Sequence, residues 1–231
     1  MFIFTKDNLS TIKNAVYSSK SIPNKHTKKI KAIKDGAFAD FNYSKFKVNP
    51  ISFPPVNTAM TTYNELQYLL KLPFYPEYVK EHDDIEKVFE EVCKENNVKY
   101  PRELVDQLLG DSAGIILDLK YTYNRPRPAQ LAPHYNIKLN SDIVKLPSMK
   151  TPSYPSGHSA QGILIGKVLH ALIPLDTHTD AFLEAGKRIS YSRAIGRAHY
   201  PSDSNLGEEI GEAMFKYIMK TQKLNTLLKN Q

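Results

Sequence analysis

The sequence predicts an all-α protein, a soluble, single-domain bundle of about six to eight helices. Three observations support this fold class. Apolar residues recur at helical spacing beyond residue 56, alternating Val, Ile and Thr patterns are almost absent, and hydrophobic residues make up 41% of the 231 residues. A chain of this length and composition buries enough surface for one sizeable core.

The first helices of the bundle follow from periodicity and from proline. Four apolar residues follow the i, i+3, i+4, i+7 spacing of an amphipathic helix: Ile85, Val88, Phe89 and Val92. The run 101–124 then predicts a long helix with Pro101 at its first position, acidic residues early and a cation late.

Three later helices are predicted from the same signals. They span about 156–172, about 180–198, and 201 to near the C-terminus. Gly162 and Gly166 are spaced i, i+4 on the first of these helices. This spacing permits the close approach of another helix, and we interpret it as structural.

Residues 1–55 are predicted to be a basic N-terminal extension, followed by a helical domain over 56–231. Six lysines and no acidic residue lie within 19–34: Lys20, Lys25, Lys28, Lys29, Lys31 and Lys34. Such a run attracts nucleic acid or an anionic membrane, or is simply a solvated surface segment. The segment lacks interleaved aromatic or arginine residues, which favours the solvated surface and predicts no nucleic-acid partner.

The chain shows neither a membrane span nor a targeting segment. No stretch approaches the ~18–20 uninterrupted apolar residues of a membrane helix, and the N-terminus lacks the features of a secretory signal. Cys93 has no partner for an intrachain disulfide, which is compatible with a reducing compartment. We therefore expect a soluble, cytoplasmic protein; formation of a homo-oligomer stays open.

A first block of cations ends the long helix. Lys120 lies near its end, and Arg125 and Arg127 follow on a segment stiffened by proline, up to Pro128. Cations near a helix C-terminus favour the macrodipole in any case. Proline, however, limits the entropy lost when a guanidinium is aimed at an anion. Residues 126–155 contain six prolines and no clear period, so we expect an irregular connection there.

A second block directly precedes an apolar helix. Ser156 is a plausible N-cap, with Gly157 and His158 in the first turn. The free backbone N–H groups of that turn, unobstructed by a Cβ at Gly157, form an anion site. His158 would stand beside the bound anion.

A third block carries a histidine and a carboxylate. Pro201 disfavours helix at Tyr200, so His199 lies at a break and Asp203 in the first turn of the next helix. A carboxylate four residues on can reach back to one imidazole nitrogen and leave the other as a directed nucleophile or base. Taken alone, Asp203 is better interpreted as an acidic residue that complements the dipole of an ordinary helix N-terminus.

Together the three blocks supply what phosphoryl transfer requires without a metal. Fixed cations meet the charge on the equatorial oxygens, one imidazole attacks in line, and another protonates the departing oxygen. One imidazole cannot do both, because attack needs it neutral and donation needs it protonated.

With these residues the chain resembles the type 2 phosphatidic acid phosphatase (PAP2) superfamily, which includes class A acid phosphatases, lipid phosphatases and vanadium-dependent haloperoxidases. The matching positions are Lys120, Arg127 and Pro128, then Pro155, Ser156, Gly157 and His158, then Ser192, Arg193, His199 and Asp203. Three motifs within 120–203 carry the resemblance, and the helical setting extends it to about 100–220.

The resemblance implies a metal-independent phosphomonoesterase acting through a phosphohistidine. It implies phosphate binding by Lys120, Arg127, Ser156, Gly157 and Arg193. His199 would attack phosphorus, Asp203 would orient it, and His158 would be the general acid. Arg125 and Arg197 lie outside the pattern, and we expect them to brace site residues or to lie on the surface.

The implied substrate is a phosphorylated small molecule or lipid. No cofactor is implied, although phosphate or vanadate should bind in the site, and the best rate should lie below neutral pH. A vanadate-dependent haloperoxidase would use the same residues and is the first alternative. A metal hydrolase would want a second carboxylate near His199. A non-catalytic anion- or nucleic-acid-binding protein, favoured by the net charge of +7, needs no paired histidines.

Overall fold

The computed structural model describes residues 6–139, 146–175, 180–221 and 223–224. Every regular element within these ranges is helical and none is a strand, so the predicted all-α class is confirmed. None of the described helices combines the length and the apolar character needed to cross a bilayer.

The α-helices are α1 (Lys6–Asn14), α2 (Asn24–Lys31), α3 (Lys45–Val48), α4 (Met60–Lys71), α5 (Pro76–Glu81), α6 (Ile85–Glu95), α7 (Arg102–Tyr123), α8 (Pro128–Leu131), α9 (Gly157–Leu172), α10 (Ala181–Ile195) and α11 (Pro201–Lys220). Short 3-10 segments span Ala32–Asp35, Pro50–Ser52, Ala132–Tyr135 and Pro147–Met149. Eight of the described α-helices, all except α3, α5 and α8, have eight or more residues, within the predicted number.

The helix boundaries agree with the predicted ones for α9 and α11, and differ at two other places. Helix α6 contains all four of the apolar positions predicted to lie on one helix face. Pro101 is the N-cap of α7 rather than its first residue, which is Arg102. The fourth predicted helix, α10, ends at Ile195 and not at Ala198. Arg197 adopts a left-handed conformation with φ of 52°, which a helix cannot continue through.

Helix α9 is the centre of the bundle and packs most extensively against α10 and α11. Small residues make this packing close. A Cβ added to Gly162 would lie 3.1 Å from the Gly186 carbonyl oxygen on α10, and one added to Gly166 would lie 2.6 Å from the Phe182 oxygen. The prediction that Gly162 and Gly166 permit close helix approach is therefore confirmed.

The basic N-terminal segment is not detached from the bundle, because α2 packs against α7. The Lys29 carbonyl oxygen lies 2.5 Å from the position of a Cβ on Gly114, and His26 Nδ1 lies 2.7 Å from the Tyr121 hydroxyl. Lys25 and Lys29 themselves are exposed, as expected of a solvated face. The domain boundary after residue 55 stays a prediction.

Candidate active site

The site residues assigned from the sequence come from three distant blocks and meet at one place in the fold. The end of α7, the start of α9 and the corner between α10 and α11 converge there. The structure thus brings together all eight of them, which we call the cradle: Lys120, Arg127, Ser156, Gly157, His158, Arg193, His199 and Asp203.

Lys120 lies in the last turn of α7 and is 4% exposed. Asn124 ends that helix in a left-handed conformation with φ of 46°, which asparagine tolerates better than most residues. Lys120 Nζ donates to the carbonyl oxygens of Pro152 (2.8 Å) and Ser153 (3.3 Å). Burial and the nearby charge of Arg127 lower the pKa of Lys120 well below its ordinary value. A bound anion would favour its charged form again.

Arg127 is held by backbone oxygens and reaches the second histidine. Its Nε donates to the Thr151 carbonyl oxygen (2.9 Å), and its Nη1 donates to that of Ala198 (2.7 Å). Nη1 also lies 2.9 Å from His199 Nε2. Because a guanidinium only donates hydrogen bonds, this contact assigns a lone pair to His199 Nε2. Burial lowers the pKa of Arg127 to about 10.

His199 is fixed as a neutral imidazole with its proton on Nδ1. Nδ1 lies 3.2 Å from Asp203 Oδ2, a carboxylate oxygen that can only accept. Burial and the charge of Arg127 lower the pKa of His199 well below its ordinary value. Nε2 carries a lone pair and no proton, which is what a nucleophile needs, and in the structure that lone pair accepts from Arg127.

Asp203 is fully buried and accepts from several donors at once. Arg125 Nη1 (2.7 Å), the Tyr200 backbone N–H (3.0 Å) and the Ser153 hydroxyl all donate to it, in addition to His199. Burial alone would raise its pKa, but the Arg125 charge and these hydrogen bonds hold it well below the usual range. Asp203 therefore stays ionised and holds His199 in one tautomer.

Arg125 braces Asp203 from behind and is only 3% exposed. Its Nη2 contacts Glu65 Oε2 at 3.0 Å, and its guanidinium lies 3.9 Å from the centroid of the Tyr200 ring. Glu65 Oε1 in turn accepts from the Ser202 backbone N–H at 2.6 Å, in the first turn of α11. Of the two roles expected for Arg125, the structure gives the bracing one.

Arg197 was expected either to brace a site residue or to lie on the surface, and it does neither. It is 3% exposed and not on the surface, and it donates to the carbonyl oxygens of Ile195 and Leu72 at 2.8 Å each. Its guanidinium lies 4.8 Å from the Phe74 ring centroid. Arg197 therefore ties the α10–α11 corner to the end of α4.

The start of α9 supplies the backbone part of the cradle. Ser156 is its N-cap, and its side chain accepts from the Ser159 backbone N–H at 3.3 Å. The Ser156 N–H donates to the Asp203 carbonyl oxygen at 2.8 Å, which ties this helix start to α11. A Cβ added to Gly157 would lie 3.8 Å from Lys120 Cε, so the glycine faces the lysine. The first N–H groups of a helix have no intrahelical acceptor and favour an anion.

Arg193 and His158 are joined by a carboxylate that the sequence analysis missed. Asp83, in the α5–α6 connection, places Oδ1 2.7 Å from Arg193 Nη1 and 3.3 Å from His158 Nε2. The Asp83 carbonyl oxygen also lies 2.9 Å from His158 Nε2. Burial and the charge of Arg193 lower the pKa of His158, and Asp83 opposes this by raising it.

The cradle holds more positive charge than its carboxylates balance. Arg125 and Arg193 contact carboxylates, whereas Lys120 and Arg127 form no ion pair within the described residues. Arg193 is 1% exposed, yet its Nε and Nη2 have no hydrogen-bond partner in the described part of the chain. Two unbalanced cations and two orphaned donors match a doubly charged, multidentate oxyanion.

A cleft with two lobes reaches the cradle. The basic lobe, about 340 Å³, is lined on one side by Lys25, His26 and Lys29 of α2, and also by Ala113, Ile116, Leu117, Lys120, Ser148, Gly157, His158 and Gln161. The acidic lobe, about 690 Å³, is lined by Asp83, Asp84, Glu86 and Asp106, with Lys29, Lys80, Ile85, Leu109, Gly110, Ala113, His158 and Gln161. The two lobes share four lining residues and meet at His158: Lys29, Ala113, His158 and Gln161.

Two residues that contact the cradle, Asp83 and Ser153, were not predicted from the sequence, and neither was Glu65, which contacts Arg125 behind it. Asp83 precedes Asp84, the N-cap of α6, so the pair reads as an ordinary helix start. Ser153 lies just before the second block but within an irregular segment. Glu65 is the only acidic residue on α4, and no motif residue lies near it in sequence. Within the described residues, no three His, Cys, Asp or Glu side chains are arranged to hold a metal ion.

Comparison with known families gives one match. A family model described as PAP2 superfamily matches residues 108–227, which is 120 of the 231 residues. The matched range contains the whole cradle but neither α2 nor Asp83. No curated protein matches the chain.

Proposed function

Because the chain belongs to the PAP2 superfamily, whose members have phosphatase-type activity, we propose that it is a metal-independent phosphomonoesterase acting through a phosphohistidine. The observation that carries this proposal is the pair of buried, unpartnered donors on Arg193, whose carbonyl oxygen accepts from the His199 backbone N–H at 3.3 Å. Orphaned buried N–H groups are rare, and a phosphoryl oxygen is a fitting acceptor for them.

The first step transfers the phosphoryl group to the protein. His199 Nε2 directs its lone pair at phosphorus, a P–N bond forms, and the bond from phosphorus to the ester oxygen breaks. Arg193 donates through Nε and Nη2, and Lys120 and the start of α9 neutralise the other equatorial oxygens. The entering phosphoryl group takes over the Arg127 donor that contacts His199 Nε2.

The departing oxygen takes its proton from His158. This histidine stands where the two lobes of the cleft meet, so a leaving group can extend from it into either lobe. In the second step the now neutral His158 removes a proton from water, whose oxygen attacks phosphorus. The P–N bond breaks, phosphate leaves, and both histidines return to their starting states.

The proposal is tested by turnover and by trapping. We expect hydrolysis of 4-nitrophenyl phosphate that a chelator does not lower, and an acid-labile, base-stable phosphoprotein after rapid quenching. His199→Ala should abolish the phosphoprotein and lower the rate by at least about 10³-fold, because a covalent nucleophile is lost. His134→Ala, which removes an exposed histidine on the segment after α8, is the control and should keep the wild-type rate.

Three outcomes would contradict the proposal. These are loss of activity in chelator, retention of more than about a hundredth of the rate by His199→Ala, or bromide oxidation with vanadate and peroxide that exceeds ester hydrolysis. The last result would make the protein a haloperoxidase using the same cradle.

A further inference from the structure

The basic N-terminal segment, whose role the three motifs leave unexplained, forms a wall of the cleft. Lys25 and Lys29 are spaced i, i+4 on α2, so they lie on one face of that helix. Both line the basic lobe, and Lys120, Gly157 and His158 line the same lobe at its cradle end.

Neither lysine is neutralised by the protein. Within the described residues, Lys25 and Lys29 form no ion pair, and the nearest part of the chain, residues 19–34, contains no acidic residue. Their positive charge acts on the neighbouring His26. Burial, together with the charges of Lys25 and Lys29, lowers the pKa of this histidine. Two unpaired ammonium groups on one wall of a cleft form a ready subsite for an anion.

The other lobe is predominantly acidic, with four carboxylates against Lys80 and Lys29, the lysine that lines both lobes. Its carboxylates include Glu86 and Asp106, which lie close enough that their hydrogen bond raises the pKa of Glu86 to about 6. An anionic group would be repelled there and attracted to the basic lobe. Because both lobes meet at His158, which faces the leaving group, the charge of the leaving group decides which lobe it enters.

We propose that the protein prefers phosphomonoesters whose leaving group carries a second anionic group, carboxylate or phosphate, bound by Lys25 and Lys29 in the basic lobe. This inference rests on the proposed function for the phosphoryl group and adds a subsite for the rest of the substrate. The apolar face of α7 that borders the lobe, formed by Ala113, Ile116 and Leu117, contacts the carbon skeleton between the two anions.

The test compares two closely matched ligands, 3-phosphoglycerate and glycerol 3-phosphate, which differ in a carboxylate. Binding by calorimetry and turnover are measured at low ionic strength. We expect the wild type to favour 3-phosphoglycerate by about threefold to tenfold, the range for partly exposed charge pairs, and to lose the preference in high salt.

Charge reversal on the same helix identifies the groups responsible. Lys25→Glu combined with Lys29→Glu should remove or invert the preference. The matched control, Lys28→Glu combined with Lys31→Glu, changes the net charge equally on residues that do not line the lobe and should keep it. Lys25→Gln combined with Lys29→Gln removes both charges without adding negative charge. Its preference for 3-phosphoglycerate over glycerol 3-phosphate should lie between those of the wild type and the charge-reversed variant.

The failures are distinguishable. A wild type that hydrolyses 4-nitrophenyl phosphate but binds both ligands equally overturns the subsite and leaves the phosphatase standing. A wild type without turnover overturns the phosphatase, and calorimetry on the same chain then decides the subsite alone. If charge reversal abolishes binding to vesicles of anionic lipid but leaves the ligand ratio unchanged, α2 binds a membrane surface and the subsite is wrong.

Discussion

The cradle and the walls of the cleft are built in opposite ways. Cradle side chains are nearly all buried and are held by hydrogen bonds, either to backbone oxygens, as in Arg127, or to other side chains, as in His199. The walls carry exposed lysines on α2 and carboxylates around α6, and Lys25 and Lys29 there have no ion-pair partner among the described residues.

This difference separates chemistry from selectivity. Removing one group from the cradle leaves a buried charge or donor without a partner, which costs several kcal/mol. Changing one charge on the wall alters only a solvent-screened interaction of about 1 kcal/mol or less. We therefore expect variants in the two regions to differ by orders of magnitude in their effect on rate.

The largest effect after loss of the nucleophile is expected for Asp203→Asn. Unlike the carboxylate, the amide carries an NH2 group that can donate to His199 Nδ1, which places the imidazole proton on Nε2 and blocks attack. By analogy with other carboxylate–histidine pairs we expect kcat for 4-nitrophenyl phosphate to fall by about 10³- to 10⁴-fold.

The same change also breaks a buried ion pair with Arg125, which should cost about 3–5 kcal/mol of stability. Glu65→Gln is the matched control, because it breaks the other ion pair of Arg125 without touching His199. It should lower the melting temperature similarly and the rate much less. Equal losses of rate in both variants would mean that Asp203 acts only through folding.

Arg193→Ala comes next, with an expected loss of about 10²- to 10³-fold in kcat, the usual effect of removing a donor to the transition state. Arg193→Lys keeps the charge but not two adjacent donors, and should recover only part of the loss. Arg188→Ala removes an exposed arginine from the same helix and should leave the rate unchanged. Full rescue by lysine would show that charge alone matters, contrary to the assignment of Nε and Nη2.

The sequence predicts the cradle residues better than the residues that support them. The cradle was predictable because each block combines a helix-end signal with a chemically unusual residue: Pro128 after Arg127, Ser156 before Gly157, Pro201 after His199. These local signals fix where a helix begins or ends. The direction in which each side chain points follows from them.

The supporting residues could not be predicted, because no local signal in the sequence marks them. Asp83 lies 110 residues from Arg193 in sequence, and its contact with Arg193 depends on how α5 and α6 pack against α10. Glu65 reaches Arg125 across 60 residues in the same way. The end of α10 was misplaced although Gly196 is its C-cap, because the left-handed residue that follows is Arg197, a residue type that does not predict such a turn.

Asp83→Asn tests a carboxylate that contacts the cradle and also lines the acidic lobe of the cleft. Asp83 faces His158, Arg193 and the Ser148 hydroxyl, and its charge favours the protonated form of His158. In the free protein kcat/KM should fall as pH rises through the pKa of His158, which lies below its ordinary value. Removing the charge lowers that pKa further, so this alkaline limb should move to lower pH.

The leaving group sharpens the Asp83 test. An alkyl phosphate needs protonation of its departing oxygen more than 4-nitrophenyl phosphate does, so Asp83→Asn should slow the alkyl ester more, by about tenfold. Asp84→Asn removes a neighbouring charge that caps α6 and does not contact His158. An unchanged pH profile, or the same shift with Asp84→Asn, would reduce Asp83 to a structural role.

The smallest effect is expected for Gly157→Ala, which tests how closely the anion approaches the backbone. The added Cβ would lie 3.4 Å from Ile116 Cγ2, an ordinary contact, so the melting temperature should not change. The methyl group faces Lys120 at the cradle end of the basic lobe, and we expect inhibition by inorganic phosphate to weaken by about threefold to tenfold through partial loss of one hydrogen bond. Gly207→Ala gives the opposite pattern, because its Cβ would lie 2.5 Å from the Ser156 carbonyl oxygen and force α11 away from α9. If Gly157→Ala lowers the melting temperature as much as Gly207→Ala and leaves phosphate inhibition intact, the start of α9 is a packing contact and not part of the anion site.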